Sequence, residues 1–165
     1  MERAKLKLAV IFLLAALNIV LLGCVLMQAH ETKEYERLAR QQVMTYLSDH
    51  GISLSEETVP WETDPTEVVL KENDTSMGGD PLPEGGLPEN CEVKTSRDAV
   101  TLLMDFARGL PDAAASGLQV ESIQTGYRYT DQGDRGVLTP MWKLETSVQS
   151  YYLNCATGEV ILPTE

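Results

Sequence analysis

Apolar positions recur along this chain in three rhythms. The first is continuous: residues 8–27 carry one strongly polar side chain, Asn18. At about 1.5 Å per helical residue such a run covers about 30 Å, the hydrocarbon thickness of a bilayer. It predicts a transmembrane helix over 8–28 behind a short tail, 1–7. The second rhythm is helical. Residues 29–50 contain no Gly or Pro, and Tyr35, Leu38, Ala39, Val43, Tyr46 and Leu47 fall on one stripe. Gly51 reads as the stop. The membrane helix is therefore expected to continue into an amphipathic helix of about six turns.

The third rhythm is alternation, broken by turn residues. Gly51-Ile52-Ser53-Leu54 starts an extended segment, which Pro60-Trp61 and Asp64-Pro65 interrupt, and 66–70 reads as a short strand closing a membrane-proximal region, 29–70. Residues 71–94 are rich in Gly, Pro and acids, through Gly78-Gly79-Asp80-Pro81 and Pro83-Glu84-Gly85-Gly86, and read as a linker. Thr95 with Asp98 makes a capping pair before a helix carrying Ala99, Leu102, Leu103 and Phe106, which Gly109 and Pro111 end. Strands follow over 118–129, with Tyr127 and Tyr129 on one face, and over 137–148, with Trp142, Leu144, Thr146 and Val148 on one face. The turn between them is 131–136. A last pair, 151–155 and 159–162, surrounds Ala156-Thr157-Gly158. The expected fold class is α+β, with one helix packed on an antiparallel sheet over 95–165.

Charge sets the orientation. Arg3, Lys5 and Lys7 precede the apolar run, and everything after it holds 24 acids against 10 bases. The positive-inside rule then places the N-terminus in the cytoplasm and the C-terminal domain outside a cell membrane. A domain this acidic repels nucleic acid, which is excluded as a partner; the lipid bilayer is the partner of the span. No clean small-x-small cleavage site follows the run. Leu21-Leu22-Gly23-Cys24 resembles a bacterial lipobox, but Val25-Leu26-Met27 continues the apolar run where a lipoprotein has a polar tether. Spanning is the preferred reading, and lipidation at Cys24 the alternative. Cys91 and Cys155 are either a disulfide or two small thiols, since pairing is not deducible from sequence. Asn73-Asp74-Thr75 fits a glycosylation sequon.

Within the span, Asn18 is the residue to explain. An amide in hydrocarbon is costly without a partner, and Ala9, Ala16 and Gly23 recur every seven residues on one stripe where a second helix can approach. These four are the candidate contacts to a partner helix; the other possibility is that Asn18 bonds its own backbone. Catalytic signals are missing. His30 and His50 have no zinc spacing with Cys91 or Cys155, and no nucleophile elbow, P-loop or dinucleotide fingerprint occurs. Asp74-Thr75-Ser76 lacks the glycine and second copy of an aspartic-protease site. Asp131-Gln132-Gly133-Asp134 reads as a hairpin turn, because calcium needs six or more oxygens. His50 reads as a favourable charge at a helix end. No enzyme, metal or cofactor is expected.

Two stretches resemble a known family. The basic start, the span with Asn18, the amphipathic helix, then His50-Gly51-Ile52-Ser53-Leu54 and Pro60 are similar to the YycI and YycH regulatory proteins of Gram-positive bacteria. Leu138-Thr139-Pro140-Met141-Trp142-Lys143-Leu144, followed by Tyr151-Tyr152-Leu153-Asn154-Cys155-Ala156-Thr157-Gly158-Glu159-Val160, resembles the ending of that family and of PepSY-like domains. The motif residues are Pro140, Trp142, Tyr151, Tyr152, Asn154, Thr157, Gly158 and Glu159. The resemblance implies a non-enzymatic membrane regulator that binds a sensor histidine kinase, with a YycH-type partner, and adjusts two-component signalling to the state of the cell envelope. The chain is shorter than typical members. The second function class is a PepSY-type extracellular binding or inhibitor module, for which the helix is only an anchor.

Overall fold

A computed structural model describes residues 2–62 and 77–162, without the side chains of 2–13, 16, 26, 28–31, 112 and 113. The strand expected at 66–70, the sequon at Asn73 and the triplet at Asp74 lie outside the described residues. Contacts divide the chain into two units, 1–41 and 42–165.

The first unit is helical. One uninterrupted helix, α1 (Glu2–Asp49), runs from it into the second unit. Leu14, Leu17, Ile19, Val20, Leu21, Leu22, Val25 and Met27 are exposed. Consecutive helical residues are about 100° apart, so Ile19 to Leu22 alone point apolar groups in every direction. Among the described residues no helix is long and apolar enough to cross a membrane. Of the expected span, positions 8–13, 16, 26 and 28 have side chains outside the description. The structure therefore does not itself supply a membrane span. The amphipathic stripe is also shorter than expected. Val43 and Leu47 are buried in the second unit, but Tyr35 is 75% exposed and Leu38 is exposed as well.

The second unit is α+β with a mixed sheet. Its elements are the end of α1, β1 (Ile52–Ser53), a 3₁₀ turn (Glu56–Thr58), β2 (Glu92–Val93), α2 (Ala99–Gly109), the single turn α3 (Asp112–Ala115), β3 (Leu118–Asp131), β4 (Gly136–Thr146), β5 (Ser150–Asn154) and β6 (Val160–Ile161). Strands β3, β4, β5 and β6 are antiparallel neighbours in chain order. The expectation of a purely antiparallel sheet is corrected by β1 and β2. Each is two residues long, and they pair parallel with β3 and β4, respectively. Two-residue strands have no alternation to read, and their partners are distant in sequence.

The core lies on one face of the sheet. Trp142 and Leu144 of β4 and Tyr151 and Leu153 of β5 pack with Leu102, Leu103 and Phe106 of α2 and with Val43 and Leu47 of α1. Helix α2 starts one residue after Asp98, whose carboxylate accepts the Thr101 N–H at 2.9 Å and the Thr101 hydroxyl at 2.7 Å. Asp98 is thus the N-cap itself, reaching forward, and Thr95 takes no part in this cap. Gly109 is the last helical residue instead of a stop beyond it. A Cβ there would lie 2.6 Å from Val160 Cγ2, so the close approach of β6 requires the glycine.

The opposite face is covered locally by the chain after residue 76. Buried Met77 lies against Gly126, where a Cβ would meet its Cε at 2.7 Å, and Gly126 pairs with buried Met141. Asp80 holds this crossing. Its N–H donates to Tyr129 O at 2.8 Å, and its carboxylate accepts the Asp131 N–H at 3.2 Å. The stretch read as a linker thus carries a buried methionine and strand β2.

Candidate functional site

The motif residues of the C-terminal half come together around the outer edge of β4. That edge is assembled from pieces. Strand β5 pairs with Met141–Glu145, and β2 with Val137 and Leu138. Pro140 sits between them. Its carbonyl accepts the Cys155 N–H at 2.9 Å, while Lys94 N–H reaches Leu138 O, also at 2.9 Å. A strand residue directs its N–H and C=O to the same edge, so the donor that Pro140 lacks falls in the gap where β5 gives way to β2.

Trp142 and Tyr151 are buried in the core, and Tyr151 meets Phe106 edge-on with ring centroids 5.7 Å apart. Asn154 builds the following turn. Its side-chain oxygen accepts the Ala156 N–H at 3.0 Å and the Thr157 N–H at 3.2 Å, and its carbonyl accepts the Gly158 N–H at 2.7 Å. The Thr157 hydroxyl accepts the Glu159 N–H at 3.3 Å, and Glu159 O accepts the Asn154 N–H at 2.9 Å. Gly158 has φ +80°, and a Cβ there would run into the ion pair of Arg97 with Asp105, whose atoms are 2.7 Å apart. The Arg97 N–H in turn donates to Cys155 O. Pro140, Trp142, Tyr151, Asn154, Thr157, Gly158 and the backbone of Glu159 therefore fix the end of the sheet to the start of α2.

Tyr152 lies on the other face of the sheet, as does Asn154 two residues on. It pairs with Lys143 on the face opposite the core and is half-buried. Lys143 Nζ bonds Glu145 Oε1 at 3.0 Å, and the Ser122 hydroxyl donates to Glu145 Oε2 at 3.1 Å. The hydrogen bond from Lys143, then that from Ser122, holds the Glu145 carboxyl below its ordinary range.

In the first unit Asn18 donates from Nδ2 to Leu14 O at 3.0 Å, one turn back on its own helix. Gly23 has open space where a Cβ would be. The side chains of Ala9 and Ala16 lie outside the described residues. His50 stacks on Tyr46 at 4.1 Å between centroids, and its Nδ1 lies 2.8 Å from Tyr46 O at the end of α1. Among the described residues no group of three or more His, Cys, Asp or Glu converges to hold a metal ion.

All three cysteines are free thiols: Cys24 exposed, Cys91 half-buried and Cys155 buried. The two-thiol alternative is thus the one adopted. Burial pushes the Cys155 thiol up to about 12 from an ordinary 9.0, because the thiolate would lose its hydration. The stabilisation tied to this shift is complete below about pH 9 and is lost as pH rises from there towards about 12. At about 1.4 kcal/mol per pH unit, the loss is on the order of 2 kcal/mol by about pH 10.5. Urea midpoints measured from about pH 8 to about pH 10.5 should therefore fall more steeply in the wild type than in Cys155→Ala. Equal slopes would mean that other groups set the alkaline limit.

No protein-family model, curated protein or solved structure matches the chain.

Proposed function

We propose that the chain is a non-enzymatic single-pass membrane regulator, with its N-terminus cytoplasmic and its C-terminal domain outside the cell. In this reading it binds a sensor histidine kinase through the helix over 8–28 and through the outer domain, with a YycH-type protein as a further partner, and adjusts cell-envelope two-component signalling. The observation that carries it is the run of exposed apolar side chains from Leu14 to Met27, directed all round one helix. Water is a poor solvent for such a surface, and a bilayer a good one. The basic residues before the run and the acids after it support the orientation. The resemblance to YycI and YycH proteins supports the kinase as partner.

The test is recovery of the kinase with the full chain from membranes in mild detergent, at matched expression. Interhelical hydrogen bonds in membranes are worth roughly 0.6 to 2 kcal/mol, so Asn18→Leu should lower recovery severalfold without abolishing it. Ala16→Ile should lower it further by forcing the helix axes apart. Equal recovery from all three proteins would favour a second reading, a PepSY-type extracellular module on a plain anchor. One observation already leans that way: the Asn18 amide is bonded within its own helix. A chain beginning at a lipidated Cys24 would replace the span with a lipid anchor.

A further inference from the structure

An open groove of about 590 Å³ lies at the free end of the β1–β3 pairing. Its described lining is Ser53, Leu54, Ser55, Thr58, Gln119, Val120 and Glu121. The groove has a structural cause. Strand β1 runs parallel to β3 for two pairs, Ile52 with Leu118 and Ser53 with Gln119, and then turns away into the 3₁₀ turn at Glu56–Thr58. Strand β3 continues, and its register against β4 shifts between Val120 and Ser122, which makes Glu121 the extra residue of a bulge. Bulges twist a strand and re-aim its side chains, and are frequent beside binding sites. Beyond its two pairs with β1, strand β3 continues as a sheet edge, the arrangement that accepts an added extended segment. Three hydroxyls, from Ser53, Ser55 and Thr58, and the Gln119 amide add further bonding groups over a floor of Leu54 and Val120.

Charge selects the occupant. Glu121 lines the groove, and Glu56 and Glu57, both exposed, sit between the lining residues Ser55 and Thr58. Segment 51–62 holds three acids and no base, and segment 117–127 holds Glu121 and no base. We infer that this groove binds an extended segment of a partner protein that carries Lys or Arg, laid between β1 and β3 with its cations towards Glu121 and the 3₁₀ turn. The inference rests on the reading of the chain as a protein-binding regulator and adds where its outer domain makes contact.

The probe is a fluorescently labelled decapeptide of alternating Lys and Thr, with alternating Glu–Thr and Ser–Thr peptides beside it, titrated by anisotropy against the full chain in neutral detergent. The Lys–Thr peptide should bind, and the Glu–Thr peptide should not. Glu121→Lys should weaken the Lys–Thr peptide about tenfold, removing one ion pair and adding repulsion. Ser55→Tyr, which fills the groove from an exposed position, should weaken it as much or more. Asp134→Lys makes the same charge change in the β3–β4 turn and should alter binding less than about twofold. Equal effects of Glu121→Lys and Asp134→Lys, no effect of Ser55→Tyr, or equal binding of all three peptides would each overturn the inference. Kinase recovery through the membrane helix is read separately, so failure of the groove leaves that result standing, and the reverse.

Discussion

Trp142→Ala should destabilise the second unit by about 3–5 kcal/mol, the range for removing a large aromatic ring from a packed interior. Native domains have only about 5–15 kcal/mol in total, so the variant should be partly unfolded near physiological temperature. The reason lies in position. Trp142 is fully buried at the middle of β4, between Thr125 of β3 and Leu153 of β5, on the face that packs with α2 and the end of α1. No single neighbour can move into the space without shifting the sheet or a helix. Tyr152→Ala is the matched control. It removes an aromatic ring from the adjacent strand, but from the opposite, half-open face, and should cost about 1 kcal/mol. Urea midpoints of the full chain in neutral detergent, followed by far-ultraviolet circular dichroism, provide the comparison. Similar losses in the two variants would mean that the face towards α2 is not the main core.

The second large effect is on membrane insertion. Leu17 and Leu21 are exposed on α1 near the middle of the apolar run. Arginine at the centre of a spanning helix costs roughly 2.5–3.5 kcal/mol on insertion scales, so Leu17→Arg with Leu21→Arg should cost roughly 5–7 kcal/mol. Wild-type protein should stay with membranes through alkaline carbonate extraction, as should a Leu17→Ile, Leu21→Ile control. The double-arginine variant should be released or degraded. Retention of that variant would refute the spanning helix. If its retention were then lost with Cys24→Ser, the anchor would be a lipid on Cys24.

The parts of the fold legible in the sequence were those with a strong local period. Strands β3 to β6 and helix α2 follow from alternation, from the spacing of Leu102, Leu103 and Phe106, and from turn residues at Asp131, Gly133 and Gly158. Val148 shows the limit. Alternation extended β4 to it, but the strand ends at Thr146, whose hydroxyl accepts the N–H groups of Val148 and Gln149 in a turn, leaving Val148 75% exposed. Long-range features had no local signal. The parallel pairing of β1 and β2, the burial of Met77 and the approach of Val160 to Gly109 each depend on chain that arrives from far away. Among the candidate residues, the C-terminal motif was visible as a set, and its role was visible in part. The burial of Trp142 and Tyr151 in the core agrees with their expected packing role, whereas the turn that the Asn154 side chain builds and the groove beside Glu121, which depends on strand divergence, have no residue pattern that announces them.

The piecemeal outer edge of β4 bears on the order in which the domain assembles. The β3–β4 hairpin and the β5 return are contiguous in sequence, so they close short loops and can form early. The β2 pairing at Val137 and Leu138 must wait for a segment far upstream, and the gap at Pro140 separates it from the β5 ladder. The two patches are joined there through Cys155, which donates to Pro140 O and accepts from the Arg97 N–H, and not through a continuous strand ladder. Amide hydrogens of Glu92, Val93 and Lys94 should therefore exchange with solvent through a local opening of β2, well before those of Trp142 and Leu144, which are released only when the whole sheet comes apart.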